Sequence, residues 1–162
     1  MDHEQAKDRL IAWLKDAHAM ESALETTLTK QMEHAESDTT LHMRLKQHRE
    51  ETRQHAKLVE QILHRYGTDE SALKDMTGKT QALFTGWFHG SAPDTAIKDV
   101  LAGVAAEHYE IACYRALQAA ATALGDNETV RICEQILLDE KDMAEFLEAQ
   151  LPRVTQLDLA EA

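Results

Sequence analysis

The chain has little of what β-sheet proteins, disulfide scaffolds and nucleic-acid-binding proteins need. Its 162 residues include only 6 glycines and 2 prolines, and aromatic residues make up 5%. This composition disfavours sheets and favours long helices, because Ala, Leu, Glu, Lys and Gln are abundant. The formal net charge of −12 argues against nucleic acid or an anionic membrane as a partner, since both select basic surfaces. It is suited to a protein that attracts cations.

Cysteine and long apolar runs are also scarce. Cys113 and Cys133 lie 20 residues apart without a CxxC motif, which excludes a disulfide framework. The N-terminal residues MDHEQAKDRL contain no apolar signal region, and no run approaches the 18 apolar residues of a membrane span. We therefore expect a cytoplasmic protein with reduced cysteines and no membrane association.

Four long segments carry apolar residues at alternating steps of three and four, the pattern of amphipathic helices packed in a bundle. They cover about residues 2–34, 39–66, 91–124 and 127–151. A shorter, glycine-interrupted segment over residues 69–89 is interpreted as a crossover helix between two antiparallel hairpins. The sequence thus predicts an all-α four-helix bundle as one domain over residues 1–154, followed by a frayed tail over residues 155–162.

Turn and cap residues set the predicted helix ends. Asp38 supplies an N-cap for the second helix, while Gly67 and Gly125 end the second and third. Pro93 fits the first turn of the third helix, after a Ser91 cap. Pro152 is expected to close the fourth helix, because proline cannot continue one.

Glutamates at matched depths are the most informative feature of the chain. Glu21 and Glu51 are 30 residues apart, and so are Glu110 and Glu140, with a turn signal midway in each pair. Each glutamate is then roughly 22 Å from its turn at 1.5 Å per residue, so the four carboxylates converge inside the bundle. Ionised carboxylates in an apolar interior cost several kcal/mol unless they are paired or bind metal. This arrangement predicts a metal site.

Further donors lie at helical spacing from these glutamates. His55 follows Glu51 at i+4 and shares its face, and His48 precedes Glu51 at i−3. The predicted metal ligands are Glu21, Glu51, His55, Glu107, Glu110 and Glu140. Residues expected to contact these ligands are His18, His48 and Tyr114.

Three segments resemble the motifs of the bacterial YciF-like stress proteins of the ferritin-like superfamily: EHYEIACY (107–114), HREET (48–52) and LLDEK (137–141). The resemblance runs from about Leu14 to Leu151. It implies a homodimer of four-helix bundles with a crossover helix and a carboxylate-bridged di-metal centre. Transferred by position, Glu51 and Glu140 would bridge two metals, and Glu21 and Glu110 would be terminal ligands.

Two positions depart from the superfamily's pattern. The usual Glu-x-x-His is absent, because His55 comes one residue late. In the fourth helix, the position that corresponds to His55 is Ala144, which offers no ligand. One metal would therefore lack a protein ligand unless Glu107 supplies it; otherwise water would fill the position. We expect an asymmetric site in which the metal nearer His55 is held more tightly.

The function expected from these features is a di-iron protein of the stress response, with Mn or Zn as alternative metals. It would react with O2 or H2O2 or handle iron; whether it is a ferroxidase, a peroxide-reacting oxidoreductase or no enzyme is left open, and no catalytic acid or base is identified. One alternative is a metal-free interaction or scaffold module that acts as a dimer, with its function carried by the dimer surface and the region of Trp87. Another is thiol redox chemistry at Cys113 and Cys133.

Overall fold

A computed structural model describes residues 2–69 and 96–161, which form four α-helices. Helix α1 spans His3–His34, α2 spans Thr39–Arg65, α3 spans Ala96–Leu124 and α4 spans Asn127–Glu161. No strand occurs in this part of the chain. The predicted all-α bundle of two antiparallel hairpins is confirmed. The segment interpreted as a crossover helix, the Ser91 cap, Pro93 and Trp87 lie outside the described residues.

Aspartate caps and glycines define the helix ends near the predicted positions. The Asp2 carboxylate accepts a hydrogen bond from the Glu4 backbone N–H at 3.1 Å and caps α1. Asp38 caps α2 in the same way through the backbone N–H of Leu41, at 3.2 Å. Gly67 and Gly125 follow α2 and α3 with φ of 83° and 74°, which L side chains rarely adopt.

The helices pair as α1 with α2 and α3 with α4, and the two hairpins pack face to face. Two apolar clusters fill the interior. One contains Leu10, Leu14, Ile62, Leu117 and Ile136, and the other contains Leu28, Met32, Leu45, Met143 and Leu147. Along the helices, the buried Glu21, His48, His55 and Glu140 lie in sequence between residues of the two clusters. The candidate site therefore occupies the middle of the bundle, with an apolar layer on each side.

Two arginines tie the hairpins together at opposite ends of the bundle. Arg65, the last residue of α2, contacts the Asp126 carboxylate at 2.7 Å beside the start of α4. Arg153, late in α4, contacts the Asp38 carboxylate at 2.5 Å beside the start of α2. Asp38 caps α2, and Asp126 accepts a hydrogen bond from the Thr129 backbone N–H at 3.1 Å at the start of α4. Each ion pair thus joins one hairpin to the capped turn of the other.

The predicted end of α4 at Leu151 is wrong, because the helix continues through Pro152 to Glu161. A proline inside a helix removes one backbone hydrogen bond and normally costs about 3 kcal/mol. Burial of Val154, which is only 1% exposed, and the ion pair of Arg153 with Asp38 offset this cost. Whether the last residues fray stays a prediction.

No helix in the described part of the chain combines the length and the apolar character that crossing a membrane would require.

Candidate metal centre

Six ionisable side chains are buried in the middle of the bundle, and none is more than 3% exposed. They are Glu21, His48, His55, Glu107, Glu110 and Glu140. All four helices contribute, because each presents one side chain or two to the same interior layer. Charges buried this deeply cost several kcal/mol each unless opposite charges surround them. The layer is therefore a functional candidate and not an ordinary part of the core.

The donor atoms of this layer form two groups that share Glu140. In one group, atoms of Glu21, His55 and Glu140 all lie within 4.8 Å of one another; in the other, the same is true of His48, Glu107 and Glu140. Glu140 Oε1 is 2.9 Å from His55 Nδ1, and Glu140 Oε2 is 3.5 Å from His48 Nε2. The Glu140 carboxylate thus faces a different histidine with each of its oxygens.

The outer members complete the two groups. His48 Nε2 lies 3.2 Å from Glu107 Oε1, and His55 Nδ1 lies 3.9 Å from Glu21 Oε1. Tyr114, which is fully buried, donates its hydroxyl hydrogen to the same oxygen of Glu21. This hydrogen bond fixes the orientation of the Glu21 carboxylate, whose second oxygen has no hydrogen-bond partner among the described residues.

Six oxygen and nitrogen atoms of this buried layer have no hydrogen-bond partner within residues 2–69 and 96–160. They are Glu21 Oε2, His55 Nδ1, Glu107 Oε2, Glu110 Oε2 and both carboxylate oxygens of Glu140. His55 Nδ1 and Glu140 Oε1 lie 2.9 Å apart as an ion pair. Unsatisfied buried polar atoms are rare and expensive in folded proteins. Carboxylate oxygens together with imidazole nitrogens are the donor set of Fe, Mn and Zn, so these residues fit such ions.

The histidines are strong bases in this environment. Burial lowers the pKa of His48, but Glu107, Glu51 and Glu140 together raise it to about 10. Burial also lowers the pKa of His55, but this effect is outweighed by Glu140, Glu21 and Asp139. The pKa of His55 is therefore raised to about 9. With no metal bound, both imidazoles are therefore protonated near neutral pH. Metal binding has to displace these protons.

Three of the buried carboxylates have raised pKa values, and the fourth has a lowered pKa. Burial, followed by repulsion from Glu140, raises the pKa of Glu21 to about 8, and burial raises that of Glu107 to about 7. The pKa of Glu110 is raised by burial and by the three neighbouring glutamates. Burial also acts to raise the pKa of Glu140, but the two histidines outweigh it and lower that pKa. Glu140 is thus the most anionic group of the layer.

Glu51, predicted as a bridging ligand, lies outside both groups. Its carboxylate accepts hydrogen bonds from Arg44 at 3.0 Å and Gln47 at 2.7 Å, and lies 3.0 Å from His48 Nδ1. Burial acts to raise the pKa of Glu51, but the hydrogen bonds from these three residues lower it to about 2. The next residue, Thr52, occupies the inward position and is 1% exposed.

Unequal turns explain this placement. Residues 35–38 separate α1 from α2, whereas only residues 125–126 separate α3 from α4. Equal sequence spacing therefore does not give equal positions on the helices. Glu140 is the fourteenth residue of α4, and the fourteenth residue of α2 is Thr52. Glu51 comes one residue earlier and is rotated by about 100° from the inward direction.

The structure brings together Glu21, His55, Glu107 and Glu140 as predicted, and it places His48 beside them instead of outside the ligand set. Glu110 is buried next to these groups without belonging to either. The set of predicted ligands as a whole stays a prediction, because no metal-bound state tests it. His18 is half-buried outside both groups; burial lowers its pKa, and the charge of Glu60 acts in the opposite direction.

The structure changes the number of protein ligands that was expected for the second metal, where Ala144 stands in place of a donor residue. Ala144 is buried among apolar side chains and offers no donor, as expected. His48 supplies a second imidazole, so each group has one histidine and one glutamate besides Glu140. Which group would hold a metal more tightly stays a prediction.

Asp139 contacts a histidine of the centre, and the sequence did not lead us to expect this contact. Its carboxylate lies 3.0 Å from His55 Nε2. The signal was present in the internal repeat, because Asp139 and Glu51 are each the thirteenth residue of their helices.

The cysteines show no sign of joint redox chemistry. Both thiols are free, and Cys133 is 1% exposed. Burial raises the pKa of Cys133 to about 12 and also raises the pKa of Cys113. A thiol must ionise to react as a nucleophile, so neither environment activates it.

Known proteins share this fold over nearly the whole chain. The family described as "Domain of unknown function (DUF892)" matches residues 5–160. A crystal structure of a protein from Xanthomonas campestris is 33% identical, with a TM-score of 0.79 and 97% of each chain covered. YcfI from Rhodopseudomonas palustris is 26% identical, with a TM-score of 0.72 and coverage of 91% of this chain and 96% of that one.

The E. coli stress protein YciF has the same fold at 20% identity, with a TM-score of 0.72 over 93% of this chain and 97% of that one. The resemblance to YciF-like proteins is thereby confirmed. The chain belongs to the YciF-like family described as DUF892.

Proposed function

We propose that the chain binds two metal ions, with iron as the principal metal, and that the loaded protein reacts with O2 or peroxide or handles iron during bacterial stress. The observation that supports this most is Glu140, whose two oxygens face His55 and His48 and have no hydrogen-bond partner among the described residues. A carboxylate in this position is suited to bridge two cations.

Each residue of the layer has a defined part in this proposal. Glu21 and His55 would hold one ion, His48 and Glu107 would hold the other, and Glu140 would contact both. Metal ions in such sites supply Lewis acidity and, for iron or manganese, a redox couple. Tyr114 keeps Glu21 oriented through its hydrogen bond. The apolar clusters on both sides limit the access of bulk water.

Metal content measured after anaerobic loading with Fe(II) tests the proposal. We expect two ions per chain, one for each group of donors, and loss of both in Glu140→Gln because that residue is shared. Glu145→Gln is the matched control, since Glu145 lies on the same helix and is exposed. Addition of O2 or peroxide to the loaded protein should then give ferric absorption within the time of mixing.

An unchanged metal content in Glu140→Gln would refute the shared role of this carboxylate. Failure of the unmodified protein to bind Fe(II), Mn(II) or Zn(II) would refute the metal centre as a whole.

A metal-free interaction module is the second candidate function, and one observation favours it. The imidazoles of His48 and His55, when protonated, can neutralise Glu107 and Glu140 at 3.2 and 2.9 Å without a metal. The melting temperature separates the two functions. A metal centre predicts a rise on addition of metal that Glu140→Gln abolishes, whereas a metal-free module predicts no rise in either protein.

A homodimer is also part of the proposal, because the resemblance implies one. Exposed apolar side chains on α1 and α3 support it, namely Trp13 at 41%, Leu101 at 53% and Tyr109 at 41%. Light scattering after size exclusion should give twice the mass of the 18.3 kDa chain. A mass of one chain at micromolar concentration would refute the dimer.

A further inference from the structure

Each histidine of the centre lies between an inner and an outer carboxylate. For His48, Nε2 faces Glu107 on the inside at 3.2 Å, and Nδ1 faces Glu51 on the outside at 3.0 Å. For His55 the ring is reversed: Nδ1 faces Glu140 on the inside at 2.9 Å, and Nε2 faces Asp139 on the outside at 3.0 Å. The two rings therefore present different nitrogens to the same interior layer.

A neutral imidazole has one N–H donor and one nitrogen with a lone pair. A carboxylate at one nitrogen keeps the proton there, which leaves the lone pair of the other nitrogen available for a metal. We propose that Glu51 and Asp139 are positioning residues, which make His48 bind metal through Nε2 and His55 bind metal through Nδ1. This inference rests on the proposed metal centre.

The internal repeat supports a common role for the two outer carboxylates. Glu51 and Asp139 are each the thirteenth residue of α2 and α4, so the two hairpins place a carboxylate at the same position. Their histidine partners nevertheless differ. Glu51 reaches a histidine on its own helix at i−3, whereas Asp139 reaches His55 across the interface between α2 and α4. The two outer carboxylates thus meet different nitrogens of their histidines, Nδ1 in His48 and Nε2 in His55.

The outer carboxylates also differ in how firmly they are held. Arg44 and Gln47 donate to Glu51 at 3.0 and 2.7 Å, and the Glu51 side chain is 20% exposed. The Asp139 side chain is 37% exposed and lies 3.0 Å from His55 Nε2. Water can replace an exposed carboxylate as the acceptor for a ring N–H more easily than a buried one. Loss of Glu51 should therefore weaken metal binding more than loss of Asp139.

Long-range 1H–15N correlation spectra of the histidine rings in the Zn(II)-loaded protein test the proposal, because they identify the nitrogen that binds metal. We expect metal-bound shifts for His48 Nε2 and His55 Nδ1, with protons on the other two nitrogens. Binding of both rings through the same type of nitrogen would overturn the inference while leaving the metal centre intact. An absence of Zn(II) binding would overturn the metal centre and this inference with it.

Zn(II) affinity in variants provides the second measurement. Glu51→Ala and Asp139→Ala should each weaken binding at one position by about 10- to 100-fold. Glu51→Gln should recover part of the loss, because the amide oxygen can still accept the ring N–H. Glu50→Ala and Asp142→Ala are matched controls on the same helices with exposed side chains. Unchanged affinity and unchanged ring shifts in both alanine variants would overturn the positioning role.

Discussion

The stability of the metal-free protein should fall steeply as the pH rises above neutral. The folded protein holds a proton on His48 and on His55, whose pKa values of about 10 and about 9 lie above the ordinary 6.5. This contribution is fully present below pH 6.5 and is lost as the pH rises through the raised values. Glu21 and Glu107, with pKa values raised to about 8 and about 7, change stability in the same direction.

The slope follows from the number of extra protons that the folded state holds. One proton corresponds to about 1.4 kcal/mol per pH unit, so the two histidines give a fall of about 3 kcal/mol per pH unit between pH 7 and the lower of the two raised values. His48→Gln should reduce the part of this slope that the two histidines contribute by about half, since one of their two protons is removed. His64→Gln is the control, because the His64 side chain is 42% exposed.

Urea denaturation at a series of pH values, with chelator present, measures the slope. Saturating Zn(II) should abolish the fall, because the metal takes the place of both protons. A free energy of unfolding that is constant or rises between pH 7 and pH 9 without metal would refute the reasoning. It would mean that the buried imidazoles are neutral in the folded protein.

Three further predictions concern the surroundings of the centre. Tyr114→Phe removes the hydroxyl that donates to Glu21 and should lower the free energy of unfolding by about 1–3 kcal/mol, measured in urea; a change within error would show that the bond contributes nothing. Val154→Ala removes buried methyl groups beyond Pro152 and should cost about 2 kcal/mol, whereas full stability would place this part of α4 outside the core. A thiol reagent should label Cys113 faster than the buried Cys133 in the folded protein, and equal rates would contradict the burial difference.

Composition and helical periodicity were enough to predict the fold, since both hairpins and most helix ends follow from apolar spacing, aspartate caps and glycines. The end of α4 could not be predicted in this way. The sequence shows the local cost of Pro152, but burial of Val154 and the contact of Arg153 with Asp38 depend on tertiary structure.

The sequence was enough to predict a buried cluster of carboxylates, but not which residue of each helix points into it. Depth along a helix follows from residue counts, so a converging set of carboxylates could be expected. The direction of each side chain depends on where its helix begins, and an error of one residue rotates it by about 100°. The two turns differ in length, and this difference moves Glu51 outward and leaves Thr52 inside. Asp139 takes the matching outward position in the other hairpin.

The two arginine–aspartate pairs have a consequence for the alignment of the helices. Arg65 and Arg153 are each the twenty-seventh residue of α2 and α4, and each contacts the aspartate at the start of the opposite helix. Because α2 and α4 are antiparallel, sliding one along the other disturbs both pairs at once. An ion pair therefore holds each end of the bundle, and Glu140 lies between the two. These ion pairs set the axial alignment of α2 and α4, and the fit of the Glu140 carboxylate between two histidines depends on that alignment.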